Sequence, residues 1–268
     1  MVKKLNLFLY RNYGVDLSRY EESFLDKTII KRISSLSLLL NSDYLEHIKN
    51  NENEVEELTN SLHVNFSEFF RNQLTFSVLE SIIIPELIEA KKNKKELRVW
   101  SAACASGQEA YSMAISINEF IKDNAIKQKF RIFASDVSDN ALAQAKEGIF
   151  TEKEIDKVTL RILNLYFKKH GQKFSVIPLL KENIDFSKFD LISDPNFCPP
   201  TSIYGNFDVI FCCNILFYYT IENKKIIIDK LTRCLDKNGY IIVGDTEREL
   251  IKGMGFKEII KHSCIFIK

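Results

Sequence analysis

A stretch rich in small residues, SAACASGQEAYS at 101–112, carries an acid at the start of a helical pattern. Ala103, Ala105, Ser106 and Gly107 let a ligand approach the backbone before the helix begins near Gln108. Glu109 stands in that helix's first turn, where it either complements the helix dipole or faces a cationic group of a bound cofactor. A second acid, Asp136, closes the run FRIFASD at 130–136, the place where doubly wound folds hydrogen-bond ribose hydroxyls. Ser138 and Asp139 are better placed to cap the helix that follows, which leaves Asp136 available to a ligand. The chain lacks both GxGxxG and GxxxxGK[ST] after a strand, so neither a dinucleotide pyrophosphate nor a nucleoside triphosphate is well provided for.

These residues need a sheet to hold them, and the chain supplies one. Short β-rich runs at 97–103, 130–136, 207–214 and 240–245 alternate with amphipathic helical patterns such as EAYSMAISINEFIKD and ENKKIIIDKLTRCLD. That alternation predicts a parallel, doubly wound α/β sheet, whose ligands lie beyond the C-terminal strand ends. FKEIIKHSCIFIK closes the chain as a strand or hairpin at the sheet edge, and 170–192 reads as a small antiparallel excursion. Before residue 75 or so the chain reads as all-helical. In that part Leu25, Ile29, Ile30, Ile33 and Leu36 can share one face, leaving Lys27, Lys31 and Arg32 on or beside a basic one. The expected division is a helical domain over 1–75 and an α/β domain over 76–268.

With 268 residues, 46% hydrophobic and 27% charged, the composition is that of a soluble globular protein. Thirty-seven basic and thirty-six acidic side chains give a formal charge of +1, which argues against a global electrostatic grip on nucleic acid. No apolar run is long enough to span a bilayer, and the N-terminus has no signal-peptide pattern, so a cytoplasmic protein is expected. Six cysteines show neither a CxxC pair nor zinc-type spacing, and no metal site is expected.

Five segments, NFSEFFR at 65–71, RVWSAACASGQEAYSMAI, RIFASDVSDNALAQAKEGIF, FDVIFCCNILFYYT and NGYIIVGDTE at 238–247, resemble in the same order those of the CheR-type methyltransferases, which implies an enzyme that esterifies glutamate side chains of chemotaxis receptors. NFSEFFR at 65–71 resembles N-x-[ST]-x-FFR, and RVWSAACASGQEAYSMAI resembles RxWSAxxxxGxExYSxA. RIFASDVSDNALAQAKEGIF resembles the family's ribose-binding segment, FDVIFCCNILFYYT resembles FDxIxCRNVxIYF, and NGYIIVGDTE resembles GGxLxxGxSE. The resemblance implies a Rossmann-like domain that binds S-adenosylmethionine (SAM), with S-adenosylhomocysteine as product. Asn65, Ser67 and Arg71 match positions near the methionine end of SAM, and Glu109 matches the acid that meets its amino group. Ala103 and Gly107 lie in the matching cofactor loop, Asp136 matches the ribose ligand, and Asp190 and Leu191 fall where the family has an Asn-Leu pair near the adenine. Asn214 matches the Asn of CRN, Arg71 is implied as carboxylate holder, and Tyr218 matches the Tyr beside the transferred methyl.

Two positions depart from the family. Cys213 replaces the Arg of CRN and loses its five donors and fixed charge, and Asp190 replaces an Asn and loses an amide donor. The resemblance further implies a partner, the helical cytoplasmic region of a chemotaxis receptor, docking on the helix of Lys27, Lys31 and Arg32. The short YFKKHGQKF, with Gly171 alone, implies the kind that does not depend on a receptor C-terminal peptide. A monomer is the default. The alternatives are a SAM-binding regulatory protein without catalysis, or a methyltransferase for a small carboxylic acid.

Overall fold

The computed structural model describes residues 1–38, 41–64, 66–91 and 96–268. Two compact units share them, the first built from Met1–Val64 with Ile215–Ile226, the second from Asn65–Asn214 with Ile227–Lys268.

Helices α1 (Val2–Tyr13), α2 (Glu22–Ser35), α3 (Asn41–Lys49) and α4 (Glu52–Leu62) make up most of the first unit. Leu5 and Leu9 of α1, Leu25, Ile29 and Ile33 of α2, and Val55, Leu58 and Leu62 of α4 are spaced three or four apart, so each set forms one stripe. Together with Leu17, Tyr44 and Ile48 the stripes enclose one core. Ile30, expected on that face, lies one residue round from Ile29 and is 59% exposed. The basic face is also smaller than expected. Arg32 turns across to α4, donating from Nε and Nη2 to the two carboxylate oxygens of Glu54 at 2.9 and 2.6 Å and from Nη1 to Glu57 at 3.1 Å. Tyr44 adds a third donor to the buried Glu54, at 2.9 Å. Arg32 is therefore a clasp between helices, and Lys27 and Lys31 remain exposed.

Residues 215–226 return to this unit. The Glu21 amide donates to the Tyr218 carbonyl at 2.8 Å, the Thr220 amide donates to the Arg19 carbonyl at 3.0 Å, and Tyr219 stacks on Tyr20. The first unit ends at Val64 rather than near 75 because Phe69, fully buried, belongs to the core of the second.

In the second unit α5 (Gln73–Val78) continues through a π turn over Leu79–Ile83 into α6 (Ile84–Lys91). Pro85 has no amide hydrogen to give the preceding turn, which accounts for its widening. The chain then alternates through β1 (Leu97–Ala102), α7 (Gln108–Asp123), β2 (Phe130–Asp136), α8 (Asp139–Glu147), β3 (Ile149–Thr151) and α9 (Leu160–Tyr166). A hairpin, β4 (Phe167–His170) and β5 (Lys173–Val176), is followed by the single turn α10 (Pro178–Lys181), β6 (Ile184–Lys188) and β7 (Phe207–Cys212). Last come α11 (Ile221–Cys234), β8 (Leu235–Val243), α12 (Arg248–Gly253), β9 (Lys257–Glu258) and β10 (Ile265–Ile267).

Seven strands form the main sheet in the order β6-β2-β1-β7-β8-β10-β9. The pairs among β6, β2, β1, β7 and β8 are parallel, and β10 runs antiparallel to both β8 and β9. This is the doubly wound α/β sheet the alternation predicts, with the closing hairpin at its edge. From β1 the chain goes outward one way to β2 and β6, then returns to β7 and β8 on the other side, so the switch point lies between β1 and β7. Clefts open there, beyond the C-terminal strand ends.

The antiparallel excursion is a separate three-stranded sheet, β3-β5-β4, and it spans 149–176 rather than 170–192. Ile184–Lys188 instead joins the main sheet parallel to β2, with Ile132 opposite Ile184. Alternating apolar residues look the same in either sheet. The turn that starts at Pro178 carries the chain out of the hairpin and back to the main sheet.

Candidate active site

Beyond the ends of β1, β7 and β8 lies a cavity of about 400 Å³, within the usual range for small-ligand sites. Three loops and one turn build its wall.

Between β1 and α7, Ala103 and Ala105 adopt φ of 60° and 47°, and Gly107 a φ of 89°. Gly107 is required twice over. A Cβ there would sit 3.0 Å from that of Ala145, and its backbone angle favours glycine. Asp136 fastens this loop to the next strand end: one carboxylate oxygen accepts from the Ala105 amide at 2.8 Å, the other from the Ser138 amide at 2.9 Å. Ser138 caps α8 through the Ala141 amide, as the sequence predicts, so Asp136 keeps acceptor capacity for ligand hydroxyls.

Glu109 opens into the cavity from the first turn of α7. Burial pushes its carboxyl up to about 7, against hydrogen bonds from the Ser101 hydroxyl and the Cys213 thiol and the charge of Arg71, which pull it down, while Glu247 pushes it further up. The Ser101 hydroxyl is 2.5 Å away. Both donors are neutral, so the carboxylate gains most from a cation brought in by a ligand.

The segment before α5 forms the second wall. Phe69 packs edge-on against Phe150 and Phe167, and the Phe70 amide donates to the Ser112 hydroxyl at 2.9 Å. These anchors leave Arg71 on the cavity wall, its guanidinium 5.5 Å from the centre of the Phe66 ring. Asn72 caps α5 through the Thr75 amide and donates to both carboxylate oxygens of Asp245 at 3.2 Å.

After β7 and β8 come Cys213, Asn214, Gly244 and Asp245. The Cys213 thiol is pushed well above its ordinary value by burial and by the charges of Glu109 and Glu247, so it stays a neutral donor. Asn214 has a φ of 61°. Among the described residues, four of the ten non-glycine positions with left-handed backbone, Asn72, Ala103, Ala105 and Asn214, line this one cavity. Strain concentrated in this way marks a site held in shape for a ligand.

Of the residues singled out from the sequence, Ser67, Arg71, Ala103, Glu109, Cys213 and Asn214 meet on the cavity wall, with Gly107 and Asp136 directly supporting it. Asp190 and Leu191 follow β6, beside the end of β2, where the Phe189 amide donates to the Asp136 carbonyl at 3.0 Å. The Asp190 carboxylate accepts from the Ile192 and Ser193 amides and from the Ser193 hydroxyl, so it shapes its own turn. Asn65 lies outside the described residues. Tyr218 belongs to the first unit, its ring 4.7 Å from that of Phe24. Phe66, Asn72, Asp245 and Glu247 were not foreseen. The strand-end rule applied to GDTE at 244–247 would have flagged the last two.

Residues 2–63 match the all-alpha domain of the CheR methyltransferases, and residues 65–261 match their SAM binding domain. The chain belongs to the CheR methyltransferase family. The chemotaxis protein methyltransferase of Borreliella burgdorferi is 28% identical over 251 residues, 92% of this chain and 87% of that protein. The protein of that name from Listeria monocytogenes is 28% identical over 240 residues, covering 90% and 87%, and that from Escherichia coli 26% over 251 residues, covering 91% and 83%. SAM is the cofactor of this CheR domain, and the cavity fits a cationic group of that cofactor: a buried acid with neutral donors lines it, and Asp136 stands directly behind its Ala105 wall.

Proposed function

We propose that this CheR methyltransferase works in the cytoplasm and transfers the methyl group of SAM to glutamate side chains of methyl-accepting chemotaxis receptors. The buried Glu109, facing a cavity that also carries Arg71, is the observation that supports it most directly. When bound, SAM supplies an electrophilic methyl on a sulfonium. The chain's residues hold the reactants. Glu109 takes the cofactor's ammonium, Asp136 its ribose hydroxyls, and Asn65, Ser67 and Asn214 the remaining polar groups, with Leu191 and the turn of Asp190 flanking the adenine. Arg71 holds the accepting carboxylate by a charge-assisted contact.

No proton has to move. A glutamate side chain ionises near pH 4.3 in water, so the nucleophile is already an anion at neutral pH and a general base is not needed. Holding an anion and a sulfonium in line is then the enzyme's contribution, and proximity alone is worth roughly 7–11 kcal/mol when the geometry is good.

Receptor docking falls to α2 of the first unit, where Lys27 and Lys31 flank the exposed Ile30. That surface suits an acidic, partly apolar helix. The test is transfer of radiolabelled methyl from SAM to receptor-containing membranes of the same cell, followed by alkali. Base-labile label on receptors is expected. SAM binding without any label would refute the transfer and leave a SAM-binding regulator.

A further inference from the structure

Glu247 lies behind the cavity wall without lining it. Only 2% exposed, it follows β8 and places one carboxylate oxygen 2.9 Å from the Asn214 amide and 2.7 Å from the Gly244 amide. Those two amides lie just past the ends of neighbouring parallel strands, where the ladder has stopped and a backbone donor must find another acceptor or go unsatisfied. One carboxylate oxygen therefore ties the end of β7 to the end of β8. Asn214 is held in the left-handed region, at a φ of 61°. Gly244 makes the room: a Cβ on it would stand 2.6 Å from Asn214 Nδ2 and 2.8 Å from Cγ. Glu247 also acts at a distance, since its charge helps raise Glu109, Cys212 and Cys213.

We propose that Glu247 is a positioning residue for SAM binding, fixing Asn214 on the cavity wall and adding a negative charge behind Glu109 that favours a cationic ligand. This rests on the reading of the cavity as the SAM site. Where the family motif has an arginine, Cys213 stands among Glu109 and Glu247 without a charge, so the second acid acts on the first uncompensated except by Arg71. The groups that face Glu109 are Ser101 on β1, Cys104 in the loop after it, Arg71 from the segment before α5, Cys212 at the end of β7, Cys213 after it and Glu247 after β8.

Glutamine separates the two roles, because it keeps an acceptor oxygen and loses the charge. Calorimetric titration of the full chain with SAM between pH 6 and pH 8 would compare Glu247→Gln, Glu247→Ala, Asn214→Ala and the double alanine variant. Each single alanine change should weaken SAM binding about tenfold, the worth of one charge-assisted hydrogen bond network. The double variant should be weaker than Asn214→Ala by no more than the roughly threefold that loss of the Glu247 charge alone brings, far short of the product of the two single losses, because the positioning role of Glu247 works through Asn214. Glu247→Gln should bind within about threefold of the parent at pH 8, but keep its affinity to lower pH. Wild-type binding by Glu247→Ala, multiplicative losses in the double variant, or an acidic limb unmoved in Glu247→Gln would each overturn the proposal. Should Glu247→Ala fail to fold, the Gln variant's pH profile still decides. Because the readout is SAM binding, failure here is distinct from failure of receptor methylation, which leaves these affinities untouched.

Discussion

With Glu109 taking the cofactor's ammonium, as proposed above, SAM affinity should depend on pH in a way that follows from the surroundings of this carboxyl. In the ligand-free protein its carboxyl is raised from 4.5 to about 7, by burial first and by Glu247 in addition, against the pull of Ser101, Cys213 and Arg71. A cofactor ammonium binds only the ionised form well, so the carboxyl must release its proton as SAM enters. At pH 8 it is mostly ionised and binding is nearly unimpeded. At pH 6 roughly one molecule in eleven is ionised, and affinity should fall about tenfold, or about 1.4 kcal/mol, with a further tenfold for each pH unit below. Calorimetry in two buffers of different ionisation enthalpy should detect close to one proton released per SAM at pH 6 and few at pH 8. Glu109→Gln should bind SAM weakly at every pH and flatten the acidic limb. A SAM affinity constant from pH 6 to pH 8, with no proton release, would refute the reasoning.

The same group has the opposite effect on the ligand-free fold. A carboxyl raised on folding contributes its stability below about pH 4.5 and loses it as the pH climbs through about 7. The rise from 4.5 to about 7 corresponds to a cost of about 3 kcal/mol above that range. Ligand-free Glu109→Gln should accordingly melt higher than the parent at pH 8, while the parent alone gains strongly from added SAM. Activity and stability part company at this residue.

Other perturbations test other parts. Gly107→Ala forces a side chain onto a φ of 89° and against Ala145 at 3.0 Å; it should cost about 1–3 kcal/mol in urea unfolding and weaken SAM binding. Arg32→Ala leaves Glu54 buried without its cation, at a cost of about 3–5 kcal/mol. Lys27→Ala and Lys31→Ala should each stay within about 0.5 kcal/mol of the parent in the same unfolding assay, while slowing receptor methylation and leaving SAM affinity alone. Equal effects of all three on stability would contradict the division between clasp and docking surface.

What the sequence disclosed, and what it hid, divides along one physical line. Glu109 and Asp136 were legible because strands of a parallel sheet are near-continuous apolar runs, and the polar residues that follow such a run fall at the carboxyl end of the sheet by the geometry of the fold; Cys213 and Asn214 were picked out by the resemblance to the CheR motifs. Nothing about the partner strand is needed to make that inference. Arg32 was misjudged for the complementary reason: a helical wheel gives the face on which a side chain starts, but not that Glu54, 22 residues on, waits across the interface at 2.6 Å. The placement of Ile184–Lys188 failed similarly, since a period-two pattern names a strand without naming its neighbour. Residues 215–226 are harder still. The uninterrupted helical pattern of α11 is divided between the two units at Ile226, and no local signal marks the point. Glu247 combines both situations. Its position after a strand could be read, but its role depends on β7 and β8 being neighbours, a fact carried by the topology of the whole sheet. Single-sequence reading thus recovers residues at a strand's end better than the contacts that hold them in place, because the former follow from one strand and the latter from the pairing of two.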